Sequence, residues 1–107
     1  MTYEVRLTSN AEDQLRAAAK WWSEHRSHEQ AERWYDGFLK QLGSLARNPA
    51  RCPLARENRV LPIELRELAY GLGRQPTHRA LFTIRPDAVI VYAIRHVAQA
   101  DMTIDDL

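Results

Sequence analysis

The chain has a single cysteine, Cys52, in 107 residues. No internal disulfide can form, and a cysteine-based metal cluster lacks its ligands. One lone thiol fits a reducing compartment, so a cytoplasmic protein is expected. Long apolar runs are missing too. Nothing approaches the ~18 consecutive apolar residues of a membrane span, and no basic-then-apolar leader opens the chain. Neither membrane association nor export is therefore expected. Excess charge is also lacking: the formal net charge is +1, which argues against a grossly basic nucleic-acid binder. There is no internal repeat and no low-complexity segment. What remains is an ordinary globular composition, 45% hydrophobic and 27% charged. The length suits one domain, residues 1–107, with a core of its own. No cofactor is expected, and no metal.

Lysine is scarce, with two against 13 arginines. Genomic base composition alone can bias a chain in this way. The clustering is harder to explain so. Residues 47–79 hold seven arginines (Arg47, Arg51, Arg56, Arg59, Arg66, Arg74, Arg79) against three glutamates (Glu57, Glu64, Glu67). The flanking thirds are balanced or acidic. Guanidinium groups suit bidentate contacts to phosphate or carboxylate, which makes this stretch a candidate binding surface.

Periodicity sets the order of elements. Residues 2–8 alternate, with Tyr3, Val5 and Leu7 on one face, as a half-buried strand does. Ser9 precedes Glu12 by three, the spacing of a capping box, and a helix follows with a narrow stripe of Ala11, Leu15, Ala18, Ala19 and Trp22. Of Trp21 and Trp22 only one can face the core. Ser27 and Gln30 repeat the capping signal before a stronger helix, whose face is Ala31, Trp34, Tyr35, Phe38, Leu39, Leu42 and Leu45. Asn48-Pro49 ends it. A very short link makes the two helices an antiparallel hairpin.

Residues 48–58 read as a loop, and 60–68 ("VLPIELREL") as a strand in which Pro62 marks an edge or a beginning. After a turn at 70–76, a hairpin is expected from "THRALFTI" (77–84) and "VIVYAIRH" (89–96), joined at Arg85-Pro86-Asp87-Ala88. On the last strand, strict alternation puts Val89, Val91, Ala93 and Arg95 on one face and Ile90, Tyr92, Ile94 and His96 on the other. The fold class is α+β, in the order β-α-α-β-β-β. A helical hairpin packs on one face of a small, mainly antiparallel sheet and leaves the other face available.

Over nearly its whole length the chain resembles the ParE/RelE superfamily of small bacterial toxins. The stretches that carry the resemblance are "SNAEDQL", "AERWYDGFLKQLGSLARNP", "IELRELAYG", "HRALFTI" and "VIVYAIRHVAQAD", in that order and spacing. "LRELAYG" followed by "HRALF" and then "IRH" is most similar to the ParE-like branch. The resemblance implies a toxin of a type II toxin–antitoxin module that also stabilises plasmids, neutralised by a cognate antitoxin in a hetero-oligomer. ParE-like members inhibit DNA gyrase, whereas RelE-like members cleave mRNA on the ribosome. The resemblance also sets Arg79 where RelE-like strands carry an arginine that supports phosphate. Lysines are common just before "LR" in those enzymes, but this chain has Pro62 and Glu64 there. Their later basic residue falls near Gln99 and their C-terminal tyrosine near Asp105.

Cleavage by 2′-OH attack needs a base, donors for phosphate charge and an acid. His96 can serve as acid or base near neutral pH, with Arg79 and Arg95 on the phosphate, and His78, Glu64 and Arg66 lie in the same region. Competing structural roles are a strand-end histidine bonded to local backbone, and salt bridges from Arg66 and Arg79 to Glu64 or Glu67. The first expectation is a gyrase-directed toxin whose binding residues are Arg66, Arg79, Arg95 and His96. The alternative is a ribosome-dependent endoribonuclease acting on mRNA through Arg79, Arg95 and His96. A third is a non-toxic binding or regulatory module of the same fold.

Overall fold

A computed structural model describes residues 2–107. The elements are β1 (Glu4–Leu7), α1 (Ser9–His25), α2 (His28–Gly43), β2 (Arg66–Tyr70), β3 (His78–Ile84) and β4 (Ala88–His96), with short 3-10 turns in the long connection and the tail. The sheet order is β1-β4-β3-β2. β4 pairs antiparallel with β3, and β3 with β2, while β1 lies parallel to β4. Two helices on a four-stranded mixed sheet make the expected α+β architecture.

The helix starts follow from local chemistry. α1 is capped by Thr8, not by Ser9: its Oγ1 accepts the Ala11 amide at 3.1 Å. The same hydroxyl donates to the Tyr92 carbonyl at 3.2 Å, which ties the helix to β4. That second bond explains why the cap sits one residue earlier than the Ser9–Glu12 spacing suggests. Ser27 caps α2 as expected, accepting the Gln30 amide at 3.0 Å. Past α2, Asn48 takes a left-handed conformation (φ 48°), which asparagine tolerates better than most residues, and Pro49 follows.

The central strand carries a β-bulge. Pairing runs Phe82↔Val91 and then Leu81↔Ala93, so Tyr92 is an extra residue on β4. Faces therefore change phase at Tyr92. Val89, Val91 and Ile94 pack toward the helices with Ala80, Phe82, Leu15, Trp34, Phe38 and Leu42. Ala93 packs with Leu81 on the opposite face. This corrects the strict alternation expected for β4, which grouped Ala93 with Val89 and Val91. β1 ends at Leu7, opposite Val91, and beyond it α1 serves that edge of β4: besides the Thr8 bond, the Ile94 amide donates to Gln14 Oε1 at 2.8 Å.

Two further expectations change. Residues 60–65 are not a strand. The chain there turns, and β2 begins only at Arg66 and extends through Tyr70. Nor is the second sheet face open. Ala55, Leu61, Leu65 and Met102 cover it and form a second small core with Leu81 and Ala93. Residues 60–65 arch over the sheet rather than joining it, because Asn58 holds the arch closed: its side-chain oxygen accepts the Leu65 amide at 3.0 Å, and its nitrogen donates to the Ala55 carbonyl at 2.8 Å.

Candidate functional site

Of the residues singled out in sequence, His78, Arg79, Arg95 and His96 meet at one end of β3 and β4, on two faces of the sheet, whereas Arg66 starts β2 opposite Phe82, away from that end. In register, His78 lies opposite His96, and Arg79 opposite Arg95. The histidine pair faces the helices and the arginine pair faces the arch.

On the arch side, Arg79 is 2% exposed and grips Glu57 in a bidentate pair, with Nη1 to Oε1 at 2.8 Å and Nη2 to Oε2 at 2.5 Å. The competing structural role foreseen for Arg79 is real, but its main partner is Glu57. Glu67 stands at 4.0 Å and Glu64 bonds to Arg66 instead. Glu57 also accepts the Met102 amide at 3.0 Å. Burial alone would raise its carboxyl, but the Arg79 hydrogen bonds and the backbone donors outweigh that and hold it at about 2. It is a fixed anion and cannot act as a general acid. Arg95, 8% exposed, donates Nε and Nη2 to the Ala100 carbonyl at 3.1 and 2.7 Å. Two like charges set opposite each other in a sheet repel. Here Glu57, Glu67 and the tail carbonyl compensate.

Arg66 donates to the carbonyls of Cys52 and Ala50 at 2.7 and 3.2 Å, and so staples the loop before the arch to β2. On the helix side, His96 is exposed, and its Nδ1 accepts the Ala98 amide at 3.0 Å, the local backbone bond foreseen for a strand-end histidine. Its ring meets His78 edge-on, centroids 5.3 Å apart. His78 in turn lies against Trp34 and is lowered to about 4 by burial and by the charge of His96. His78 is therefore neutral near pH 7.

The structure thus brings His96 to His78, and Arg79 to Arg95, but does not bring His96 to the two arginines. Glu57, the arch and Met102 were not singled out in sequence. No periodic pattern marks Glu57, because it lies in an irregular loop. Among the described residues no group of three His, Cys, Asp or Glu side chains is placed to hold a metal ion.

Comparison with known proteins agrees with this architecture. A family model described as "ParE toxin of type II toxin-antitoxin system, parDE" matches residues 5–101. A solved structure, "Chromosomal ParDE TA system from P. aeruginosa", superposes with a TM-score of 0.71 at 17% identity, covering 90% of this chain and 97% of that one. At that identity the likeness speaks for the fold. Comparison with curated proteins returns no match.

Proposed function

Because the chain belongs to the ParE toxin family of type II toxin–antitoxin systems, we propose that it stops growth by inhibiting DNA gyrase and is held inactive by a cognate antitoxin protein. The observation that carries this choice over RNA cleavage is the division of the strand ends. Arg79 and Arg95 are engaged beneath the arch, and His96 projects on the other side of the sheet. Acid–base transfer and phosphate support must converge on one scissile bond, and these groups do not converge. Binding makes no such demand. His96 is exposed and free to contact a protein target, while Arg79 and Arg95 contribute by holding the strand ends that carry it, and Arg66 acts at a distance by fixing the loop beside β2. The site of action is then the cytoplasm, and among the described residues no helix is long and apolar enough to cross a membrane.

Pulse labelling after induction tests this reading. DNA synthesis should fall within minutes, ahead of protein synthesis, and purified chain should inhibit gyrase supercoiling. Co-expression of the antitoxin should restore both, with the two proteins purifying as one hetero-oligomer. Early loss of protein synthesis with cleaved mRNA would move the chain to the ribonuclease reading.

A further inference from the structure

A cavity of about 400 Å³ opens between the last turns of α1 and the ends of β3 and β4, lined by Ala18, Trp21, Trp22, Arg26, Thr77, His78 and His96. Its walls are largely aromatic. Trp22 meets Trp21 edge-on at 5.7 Å, Trp21 stacks on His25 at 4.7 Å, and His78 meets Trp34 and His96 edge-on. The lining holds no carboxylate. Its one permanent charge, Arg26, is exposed and makes no ion pair among the described residues. The indole N–H of Trp22 is buried without an acceptor, a condition that costs free energy until an oxygen is supplied.

We propose that this cavity is an anchor pocket for a protein partner, taking one aromatic side chain that is flanked by carboxylates. Aromatic rings favour edge-to-face neighbours, and four of the seven lining residues, Trp21, Trp22, His78 and His96, carry aromatic rings. Pockets of this size, mostly apolar with a few placed polar groups, are typical of ligand sites. The charge decides the flanking chemistry: Arg26 offers an unpaired cation, His96 an exposed imidazole, and no acid repels an anion. The occupant is therefore an acidic segment with an aromatic anchor. This holds for the folded chain whether or not gyrase is its target.

The test uses the full chain and three acetylated, amidated tripeptides, Glu-Phe-Glu, Gln-Phe-Gln and Glu-Ala-Glu, followed by NMR of the His78 and His96 ring protons. Glu-Phe-Glu should shift both rings saturably, and the other two peptides should bind at least about fivefold more weakly, within the range of an exposed charge contact. Arg26→Gln lies on an exposed position and should keep the fold while weakening Glu-Phe-Glu by a similar factor. Ala18→Leu, which fills the cavity, should abolish the shifts. Equal binding of all three peptides, no saturable shift, or binding unchanged by Arg26→Gln would overturn the proposal. None of these outcomes depends on toxicity, so a failed pocket and a failed toxin reading stay distinct.

Discussion

Glu57 and Arg79 show how a charge is made safe inside a small protein. Each removes the other's desolvation cost only while both are present, so removing one leaves an unpaired buried charge. Glu57→Ala or Arg79→Met alone should cost about 3–5 kcal/mol, and the double variant Glu57→Leu/Arg79→Met much less, as read from urea midpoints. The pair also shapes acid stability. The Glu57 carboxyl titrates near 4.5 unfolded and about 2 folded, so its contribution is complete above 4.5 and disappears as pH falls toward 2. His78 adds an earlier stage with the same sign. Its pKa is 6.5 unfolded and about 4 folded, lowered by burial and then by His96. Between those values the unfolded chain binds more protons, so stability should decline as pH drops from 6.5 to 4. Because His78 is partly exposed, that stage amounts to about 1–2 kcal/mol after solvent screening. His78→Phe should delete it and leave the Glu57 stage. Gly37 makes a different point. Alanine is the better helix former by about 1 kcal/mol, yet a Cβ at Gly37 would stand 2.1 Å from the Tyr70 hydroxyl. Tyr70 is stacked on Phe38 at 4.6 Å and has little room to retreat. Gly37→Ala should therefore lower the melting temperature, and adding Tyr70→Phe should recover most of the loss.

At the scale of elements, α1 and β4 are fastened where β1 ends. Past the last β1 pair the Tyr92 carbonyl and the Ile94 amide have no strand partner on that side, and Thr8, the cap of α1, and Gln14 within it meet them. Thr8→Ala removes both a cap and that bond and should cost about 1–2 kcal/mol. Gln14→Leu strands the buried Ile94 amide and should cost about 1–3 kcal/mol. Thermal unfolding of each variant checks both. The bulge at Tyr92 marks the limit of what sequence can say about the site. The two helices, the flanking strands and the hairpin turn were all legible from period, caps and Pro86. Trp22 does turn inward, and Trp21 stays 46% exposed. The register was not legible. A hairpin continuing Ile84↔Val89 without a bulge puts His78 opposite Arg95 and Arg79 opposite Ile94. Inserting Tyr92 moves each by one, and so creates the His78–His96 and Arg79–Arg95 pairs. Nothing in "VIVYAIRH" marks Tyr92 as the extra residue, whereas the contacts that flank it, from Thr8 and Gln14, come from a distant part of the chain. The arch escaped for a similar reason: "VLPIEL" has strand-like composition, and the side chain of Asn58, outside that segment, closes it into a turn.

Across the whole molecule the arginine cluster proves to be largely internal stapling. Of the seven arginines in 47–79, Arg51 bonds the carbonyls of Arg47 and Asn48, Arg56 pairs with Asp101, Arg66 holds the loop and Arg79 holds Glu57. Arg47, Arg59 and Arg74 have no side-chain partner among the described residues and are exposed. The cluster reads as one block in sequence because the long connection needs many stapling points, having little regular structure to satisfy its carbonyls. The tail belongs to the same arrangement. Met102, fully buried, lies in the second core; its amide meets Glu57, Asp101 meets Arg56, and the Ala100 carbonyl meets Arg95. By contrast Ile104, Asp105 and Leu107 are exposed. A chain ending at Thr103 should therefore match the full chain in urea midpoint within about 0.5 kcal/mol, as surface changes usually do. A chain ending at Gln99 loses the burial of Met102, about 1.5–3 kcal/mol, along with the acceptor of Arg95 and a donor to Glu57. It should unfold at markedly lower urea, and amide exchange should quicken at Leu81 and Ala93, beneath the missing lid. Equal midpoints for the two truncations would mean that the tail only rests on the sheet, and that Glu57 and Arg79 hold the second core without it.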